Sequence, residues 1–381
     1  MLSAEKVVED ARVATGLGDT GDESFRDGLA MLVRSANAQA RFNERGLAMF
    51  HGSLVSNLSN RMWVEHWYAL HPEIDEQQIV EPLFGLGLPR TGSTALACTL
   101  AEDPAVRSIR MWETMAFDDP PAKETEFTDP RIEVYEQQRR RFDHIAPRMK
   151  TMVPVGAQTI VECHPLMGMD FKAQEFVARA RLPEYVDWIL NEADLVPTYR
   201  YMKRALKLLQ WRFPPVRWRL KSPSHMPFVS ALNTVFPDAK FWMTHRDITK
   251  VIPSVVDVYH ELHKSMTDEL DPDFIIDTIM KWFTIGTRRV LEFRNHNESR
   301  FVDIQFSEFQ RDPEASVRRV YGFMGEDLSD EALARMRQWR IDQARGKDGK
   351  HEYDTIAAGL DLDRIREEFR FYSDRFTEQP A

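Results

Sequence analysis

Residues 83–96 of the chain are Leu-Phe-Gly-Leu-Gly-Leu-Pro-Arg-Thr-Gly-Ser-Thr-Ala-Leu. The apolar start predicts a strand, the glycines and the proline predict a tight loop, and the stretch from Ser93 to about Ala101 predicts a helix. Glycines let a loop backbone come close to a ligand, and the N–H groups that open a helix favour an anion. The stretch therefore predicts a phosphate-binding turn at the end of a buried strand.

This turn differs from the nucleotide P-loop at one position. Gly87 and Gly92 have the spacing of the G-x-x-x-x-G half of that motif, but Ser93 stands where the motif needs a lysine. The cation lies inside the turn instead, as Arg90. Glycine-rich turns also occur in plain strand-to-helix connections, so the more specific signal is the whole unit Pro-Arg-Thr-Gly-Ser-Thr at residues 89–94.

The composition is that of a globular protein without a broad basic surface. Of the 381 residues, 43% are hydrophobic and 29% are charged, and the formal net charge is −10. This balance argues against nucleic-acid binding, so an anionic ligand needs a local basic pocket. Cys98 and Cys163 are too few for a disulfide framework or a thiolate zinc site, and we expect two buried thiols.

Signals for secretion or membrane insertion are not visible in the sequence. The first residues lack an apolar core of signal-peptide length, and no stretch approaches the roughly 20 apolar residues that a membrane span needs. We therefore expect no membrane span and a cytoplasmic location.

The apolar pattern divides the chain into a helical start and an α/β remainder. Residues 1–78 carry apolar stripes at helical spacing, which predicts helices packed on the core of the protein. Residues 79–381 alternate apolar strands with helices, which is typical of an α/β domain. Within it, a Pro- and charge-rich insertion at about 117–215 is typical of a substrate wall or lid.

A second anion-binding position is predicted around residue 246. The apolar run that starts at Lys240 ends in His-Arg-Asp and is followed by a helix with one apolar stripe. Arg246 therefore lies at the carboxyl end of a strand. Ser254 follows eight residues later, on the polar side of the helix.

Several candidate acid–base groups follow predicted strands. Glu113 comes just after a short strand, at the sheet edge where open α/β sheets bind ligands. Glu162 and His164 lie within the insertion, after its Pro- and charge-rich part at about 117–159, and are candidates to reach an acceptor, although a lone histidine is as often structural. Lys221 ends a further strand, and His225 lies in the turn after it. No His/Asp/Glu cluster suggests a metal site.

The turn at 89–94 together with Arg246 and Ser254 resembles the two-part signature of sulfotransferases that use 3′-phosphoadenosine-5′-phosphosulfate (PAPS). The chain is identified as a member of the soluble bacterial branch, with a likeness over about residues 80–376. The resemblance implies a P-loop-like, three-layer α/β fold with a central, mainly parallel sheet flanked by helices. The N-terminal helical segment would be an addition to that fold.

The resemblance also implies which residues bind the cosubstrate. The residues that match the 5′-phosphosulfate loop are Arg90, Thr91, Gly92, Ser93 and Thr94. Arg246 and Ser254 match the groups that bind the 3′-phosphate. Arg345 and Lys347 resemble, in a changed order, the Arg-Lys-Gly segment that closes over the same phosphate.

Two candidates for the general base stay open. The segment from Lys221 to His225 is similar to Leu-Lys-Thr-His of cytosolic sulfotransferases, whose lysine assists sulfuryl transfer and whose histidine is the base. Here two extra residues separate the lysine from the histidine. Glu113 matches the place of the glutamate base in the bacterial glycolipid and tyrosylprotein branches, and is preferred.

The implied reaction transfers a sulfuryl group from PAPS to a hydroxyl or amine of a small-molecule, lipid or glycan acceptor, without a metal. Arg90 and Lys221 would neutralise the charge on the leaving phosphate. A P-loop kinase or NTPase is the alternative enzyme, disfavoured by Ser93 and by the lack of a strand that ends in a clear Mg²⁺-binding Asp. A catalytically inactive nucleotide-binding protein is disfavoured because the site residues are retained. Acceptor identity and oligomeric state do not follow from the sequence.

Overall fold

Five strands form one sheet at the centre of the protein, in a computed structural model that describes residues 1–152, 156–214, 217–345 and 360–376. The strands are β1 (Leu83–Leu86), β2 (Val106–Arg107), β3 (Arg217–Lys221), β4 (Lys240–His245) and β5 (Phe301–Gln305). Their order is β2-β3-β1-β4-β5, and every neighbouring pair is parallel. The predicted α/β fold with a parallel sheet is therefore confirmed.

Helices cover the sheet and continue on both sides of it. The first nine are α1 (Ala4–Thr15), α2 (Phe25–Gln39), α3 (Glu44–Leu70), α4 (Ser93–Leu100), α5 (Arg131–Ile145), α6 (Met149–Met152), α7 (His164–Gly168), α8 (Gln174–Arg179) and α9 (Pro183–Asn191). The others within the described ranges are α10 (Val196–Gln210), α11 (Val229–Val235), α12 (Ile248–Lys264), α13 (Pro272–Arg294), α14 (Phe306–Arg311), α15 (Pro313–Met324), α16 (Asp330–Arg345), α17 (Leu362–Glu368) and α18 (Arg370–Phe376). Short 3₁₀ turns lie at Pro72–Glu76, Met111–Thr114, Lys123–Thr125, Pro223–Phe228 and Glu298–Arg300.

The sheet separates two apolar clusters, as a three-layer fold requires. Along β4, Phe241 and Met243 belong to the larger cluster, which also contains residues of α10, α12 and α13. Trp242 points to the other face, where it packs with α4, α14, α15 and α16. Successive side chains of a strand point to opposite faces, so apolar residues on both sides of β4 require helices on both sides of the sheet.

The central strand β1 passes too close to β4 for any side chain at one position. A Cβ atom added to Gly85 would lie 2.2 Å from the ring of Trp242. The strand is buried over its whole length. Its carboxyl end therefore delivers the following turn to a fixed place at the edge of the sheet, where parallel sheets bind ligands.

The N-terminal helices α1–α3 pack on this core, and their buried apolar residues belong to the same cluster as Phe84 and Leu86 of β1. The buried guanidinium of Arg61 reinforces the contact, because it binds the carboxylates of Asp22 and Asp170 at 2.6 and 3.2 Å. The division of the chain into units at residue 78 stays a prediction. No helix within the described ranges is long and apolar enough to span a bilayer.

Some element boundaries differ from the predicted ones. The apolar faces of residues 171–211 predict helical structure over that whole stretch, and the structure divides it into α8, α9 and α10. A proline in the first turn of a helix does not continue a preceding helix. Pro183 starts α9, and Pro197 lies in the first turn of α10. Residues 106–109 predict a strand, but β2 ends at Arg107, because the chain turns away and Arg110 pairs with Ile160 in an isolated antiparallel bridge.

Candidate active site

The turn between β1 and α4 has the backbone of an anion-binding loop. Arg90 and Gly92 have φ angles of +63° and +85°, and a Cβ atom on Gly92 would lie 2.9 Å from the ring of Phe306. The hydroxyl of Thr91 is buried and donates to the carbonyl of Leu88 at 2.7 Å, which fixes the turn. Helix α4 begins directly afterwards, so its first N–H groups have no partner inside the helix and face the turn.

Arg90 and Arg246 connect the two predicted anion-binding positions. Arg90 Nε donates to Ser254 Oγ at 2.9 Å, and its Nη1 donates to the carbonyl of Met152 at 2.6 Å. Arg246 Nη1 donates to the carbonyl of Arg90 at 2.9 Å, and its guanidinium lies 4.4 Å from the ring centre of Phe306. The phosphate turn, the end of β4 and helix α12 thus meet at one point.

Lys221, the last residue of β3, reaches the same turn from the neighbouring strand. Its Nζ donates to Thr94 Oγ1 at 3.1 Å and to Glu162 Oε1 at 2.5 Å. Burial would raise the pKa of Glu162, but the charge of Lys221 and the hydrogen bond with His164 hold that pKa well below its ordinary value. Glu162 is therefore a carboxylate, and it keeps the ammonium group beside the turn.

Glu162 and His164 form a pair next to Lys221. The Nε2 atom of His164 lies 2.8 Å from Glu162 Oε2. Its Nδ1 atom is buried, and no residue within the described ranges accepts from it or donates to it. The preceding segment is joined to the chain just after β2, because the N–H of Val161 donates to the carbonyl of Ile109 at 2.9 Å. This tie places Glu162 at the carboxyl edge of the sheet.

Glu113 also lies after β2, but its carboxylate is engaged in local structure. Oε1 accepts from Arg107 Nη2 at 2.7 Å, and Oε2 accepts from the backbone N–H of Arg110 at 2.8 Å. The side chain is buried, and the guanidinium of Arg107 lies 3.5 Å from the ring centre of Phe213. These contacts favour a structural role, and the role of Glu113 as a base stays a prediction.

His225 is enclosed in the core beneath the turn. Its Nδ1 lies 2.9 Å from the hydroxyl of Tyr199, and its ring contacts Phe84 edge-on at 5.4 Å. Burial lowers the pKa of His225 to about 3, so the imidazole is neutral at physiological pH. Its assignment as a base likewise stays a prediction.

The structure describes the two predicted thiols, but not the side chains of the segment predicted to close over the 3′-phosphate. Cys98 and Cys163 are buried free thiols, as predicted, and burial raises the pKa of Cys163 to about 12. Arg345 ends helix α16, but its side chain and the whole of Lys347 lie outside the described residues. The proposed closing segment over the 3′-phosphate is therefore not tested.

Sequence reasoning missed the contact that holds part of the insertion over the site. Arg148, between α5 and α6, binds Glu261 at 2.7 Å and Asp257 at 3.3 Å on helix α12. Met149 and Met152 pack nearby with Val258 and Leu262. The partners are more than 100 positions apart in sequence, so no local pattern indicates them.

Comparison with known proteins identifies the family to which this arrangement belongs. The family model of the sulfotransferase family matches residues 82–330, which include the phosphate turn, Lys221, Arg246 and Ser254. The chain belongs to the sulfotransferase family. The match extends from β1 to the start of α16, so it covers every strand of the sheet.

Two solved sulfotransferases have the same overall structure. Sulfotransferase STF9 from Mycobacterium avium is 30% identical, with a TM-score of 0.91 over 100% of this chain and 98% of that one. Sulfotransferase STF1 from Mycobacterium tuberculosis H37Rv is 25% identical, with a TM-score of 0.82 over 97% of this chain and 98% of that one. Because the first alignment covers the whole chain, the N-terminal helices have counterparts in that sulfotransferase.

A curated relative is similar over a shorter stretch. Omega-hydroxy-beta-dihydromenaquinone-9 sulfotransferase Stf3 of Mycobacterium bovis is 30% identical over 171 residues, which are 42% of this chain and 42% of that protein. The protein of the same name in Mycobacterium tuberculosis matches equally. The aligned part thus spans less than half of the curated relatives.

Proposed function

We propose that this protein transfers a sulfuryl group from PAPS to a hydroxyl or amine and leaves adenosine 3′,5′-bisphosphate. The proposal depends above all on the contact between the two predicted anion-binding positions, through hydrogen bonds of 2.9 Å from Arg90 to Ser254 and from Arg246 to Arg90. A nucleotide with phosphates at both the 3′ and the 5′ position of its ribose needs two anion-binding positions next to each other. Membership of the sulfotransferase family supports the same donor.

The charged groups at the turn fit the demands of sulfuryl transfer. Sulfuryl transfer resembles phosphoryl transfer, so positioning and charge stabilisation contribute most of the rate. As the bond between sulfur and the bridging oxygen breaks, negative charge grows on the 5′-phosphate. Lys221, 3.1 Å from Thr94, and Arg90 would stabilise that charge, together with the N–H groups at the start of α4.

We propose a hydroxylated apolar molecule as the first acceptor class to test. The curated relative is named for a hydroxylated menaquinone lipid, and the similarity to it is limited to part of the chain. Small hydroxylated molecules and glycans are the other acceptor classes of the proposal. A cytoplasmic location stays a prediction.

Ligand binding separates the proposal from its rivals. The purified full chain is titrated by calorimetry with adenosine 3′,5′-bisphosphate, with adenosine 5′-phosphate, and with ATP and Mg²⁺. We expect the bisphosphate to bind most tightly, and to bind equally well with a chelator present. Tighter binding of ATP with Mg²⁺ would contradict the proposal in favour of a kinase or NTPase.

Turnover is then tested with PAPS and a panel of hydroxylated lipids, phenols, amines and sugars, using mass spectrometry to detect the sulfated product. A sulfated product that depends on Lys221 supports the proposed activity. Tight bisphosphate binding with no product from any acceptor class would favour the inactive nucleotide-binding protein.

A further inference from the structure

His164 has the environment of an oriented base. Its Nε2 is 2.8 Å from Glu162 Oε2, so in the neutral imidazole Nε2 carries the proton and Nδ1 presents a lone pair. That Nδ1 atom is buried without a hydrogen-bond partner among the described residues. A buried polar atom without a partner is costly, and a ligand or a reacting group that completes the site is one explanation for it.

Three consecutive side-chain contacts connect the pair to the phosphate turn. The order of contacts is Thr94 to Lys221 at 3.1 Å, Lys221 to Glu162 at 2.5 Å, and Glu162 to His164 at 2.8 Å. Lys221 thus lies next to the group that holds the leaving phosphate, and His164 lies two contacts further away. An acceptor must attack sulfur from the side opposite to the leaving oxygen, and in the proposed arrangement its hydroxyl lies beyond Lys221 as seen from the turn.

The two bases suggested by family resemblance are less suited to this task. Both oxygens of Glu113 are occupied by Arg107 and Arg110, and its side chain has no exposed surface. His225 also has a ring nitrogen without a partner, but it is fully enclosed and its pKa is about 3. By contrast, 18% of the His164 side chain and 26% of the Glu162 side chain are exposed.

We propose that His164, oriented by Glu162, is the general base of the transfer reaction. The inference rests on the proposed sulfotransferase function. The O–H bond of the acceptor breaks and its proton moves to His164 Nδ1, while the acceptor oxygen forms a bond to sulfur. The bond between sulfur and the bridging oxygen breaks, and its electron pair stays on the phosphate beside Lys221. Glu162 is a positioning residue that fixes the imidazole and the ammonium group.

The acidity of the acceptor tests this assignment. Para-nitrophenol ionises near neutral pH without help, whereas para-cresol, of similar size, needs a base. His164→Gln keeps an amide that can donate to Glu162 but removes the Nδ1 lone pair. With PAPS, we expect this variant to lose about 10²–10⁴-fold in kcat with para-cresol and far less with para-nitrophenol. Its affinity for adenosine 3′,5′-bisphosphate should match the wild type.

The control is His51→Gln, which changes a histidine whose Nε2 lies 2.9 Å from Asp10 on the N-terminal helices. It should leave both rates unchanged. Equal losses of His164→Gln with both phenols would show a structural role and overturn the proposal. A selective loss of para-cresol turnover in His225→Gln or Glu113→Gln, with His164→Gln unaffected, would overturn it as well.

A second measurement does not depend on turnover. In protein labelled with ¹⁵N-histidine, long-range ¹H–¹⁵N spectra report which ring nitrogen carries the proton. We expect protonated Nε2 and unprotonated Nδ1 for His164, and the opposite tautomer would overturn the proposal. Should the wild type bind no bisphosphate and sulfate neither phenol, the failure is that of the proposed function, whereas the tautomer still decides whether Nδ1 is available as a base.

Discussion

Arg90 Nε donates a hydrogen bond of 2.9 Å to Ser254 Oγ, across 164 positions of sequence. The phosphate turn after β1 is thereby attached to helix α12, which follows β4. Arg246 strengthens the attachment through the carbonyl of Arg90. Because hydrogen bonds within the protein join the two predicted anion-binding positions, each helps to fix the place of the other, and preorganisation of this kind raises affinity.

Replacement of Arg246 by alanine should change nucleotide preference as well as affinity. A hydrogen bond to a charged group contributes about 1.5–3 kcal/mol, so Arg246→Ala should weaken adenosine 3′,5′-bisphosphate binding by roughly 10–150-fold. Adenosine 5′-phosphate lacks the second phosphate and should lose much less. Calorimetry with both ligands measures the difference, and Arg12→Ala on the exposed face of α1 is the control. Equal losses for the two ligands would contradict the assigned contact.

Gly92 offers a test of the turn itself. Alanine at φ +85° is strained, and its Cβ would approach the ring of Phe306 within 2.9 Å. We expect Gly92→Ala to weaken bisphosphate binding by about 10-fold or more, because a left-handed conformation costs a non-glycine residue roughly 1–2 kcal/mol and the turn must shift.

The control for this change is Gly322→Ala in helix α15, where an added Cβ meets nothing within 4 Å. There alanine should raise the free energy of unfolding by about 0.5–1 kcal/mol, as measured by urea denaturation. If Gly92→Ala behaved like Gly322→Ala in both assays, the special backbone of the turn would have no part in binding.

The sequence was most informative where local chemistry decides the structure. The strand, turn and helix around residues 89–94 follow from glycine, proline and apolar periodicity within one short stretch, and the structure agrees. Arg246 could be placed at a strand end for the same reason. These features need no knowledge of which distant residues become neighbours.

The acid–base groups were harder to interpret because their environment is set by distant partners. Glu113 follows β2 as expected, yet its direction depends on Arg107. The pairing of Glu162 with Lys221 joins residues 59 positions apart. Neither relation appears as a motif, so the sequence could nominate these side chains but could not show which of them face the turn.

Lys221 should affect the rate of transfer more than nucleotide affinity. Its ammonium group lies 3.1 Å from Thr94 Oγ1, and in the proposed reaction charge grows on the leaving phosphate at this place. Loss of one such donor typically costs about 10²–10³-fold in kcat, and we expect this for Lys221→Met. Steady-state kinetics with PAPS and calorimetry with the bisphosphate separate the two effects.

The control for this lysine change is Lys207→Met. Lys207 lies on helix α10, and its ammonium group binds Asp75 at 2.8 Å. The control variant should alter neither quantity. A loss of nucleotide affinity with an unchanged kcat in Lys221→Met would mean that Lys221 serves binding alone.

His225 should make the protein less stable in acid. Burial lowers the pKa of His225 from an ordinary 6.5 to about 3. Between these two pH values, His225 is protonated in the unfolded chain and neutral in the folded protein. The free energy of unfolding therefore falls as the pH decreases toward about 3, by about 1 kcal/mol per pH unit from this group. His225→Gln should flatten the dependence in urea denaturation between pH 6 and pH 4. The control is His144→Gln, at an exposed position of α5. If the free energy of unfolding depended on pH equally in His225→Gln and in this control, His225 would not contribute to the dependence.

Arg148 should hold part of the insertion against the nucleotide site. Asp257 has no exposed side-chain surface and Glu261 has 5%, so Arg148→Met leaves two buried carboxylates without this cation. We expect a loss of about 1–3 kcal/mol in the free energy of unfolding. Hydrogen exchange at α6 should also be faster.

Because the carbonyl of Met152 accepts from Arg90 at 2.6 Å, loosening α6 should also weaken bisphosphate binding. Arg140→Met removes an exposed ion pair with Glu133 on α5 and should leave exchange at α6 and affinity unchanged. Should Arg148→Met match Arg140→Met in both measurements, the insertion would be held over the site by its apolar contacts with α12, because the ion pairs would then contribute nothing measurable.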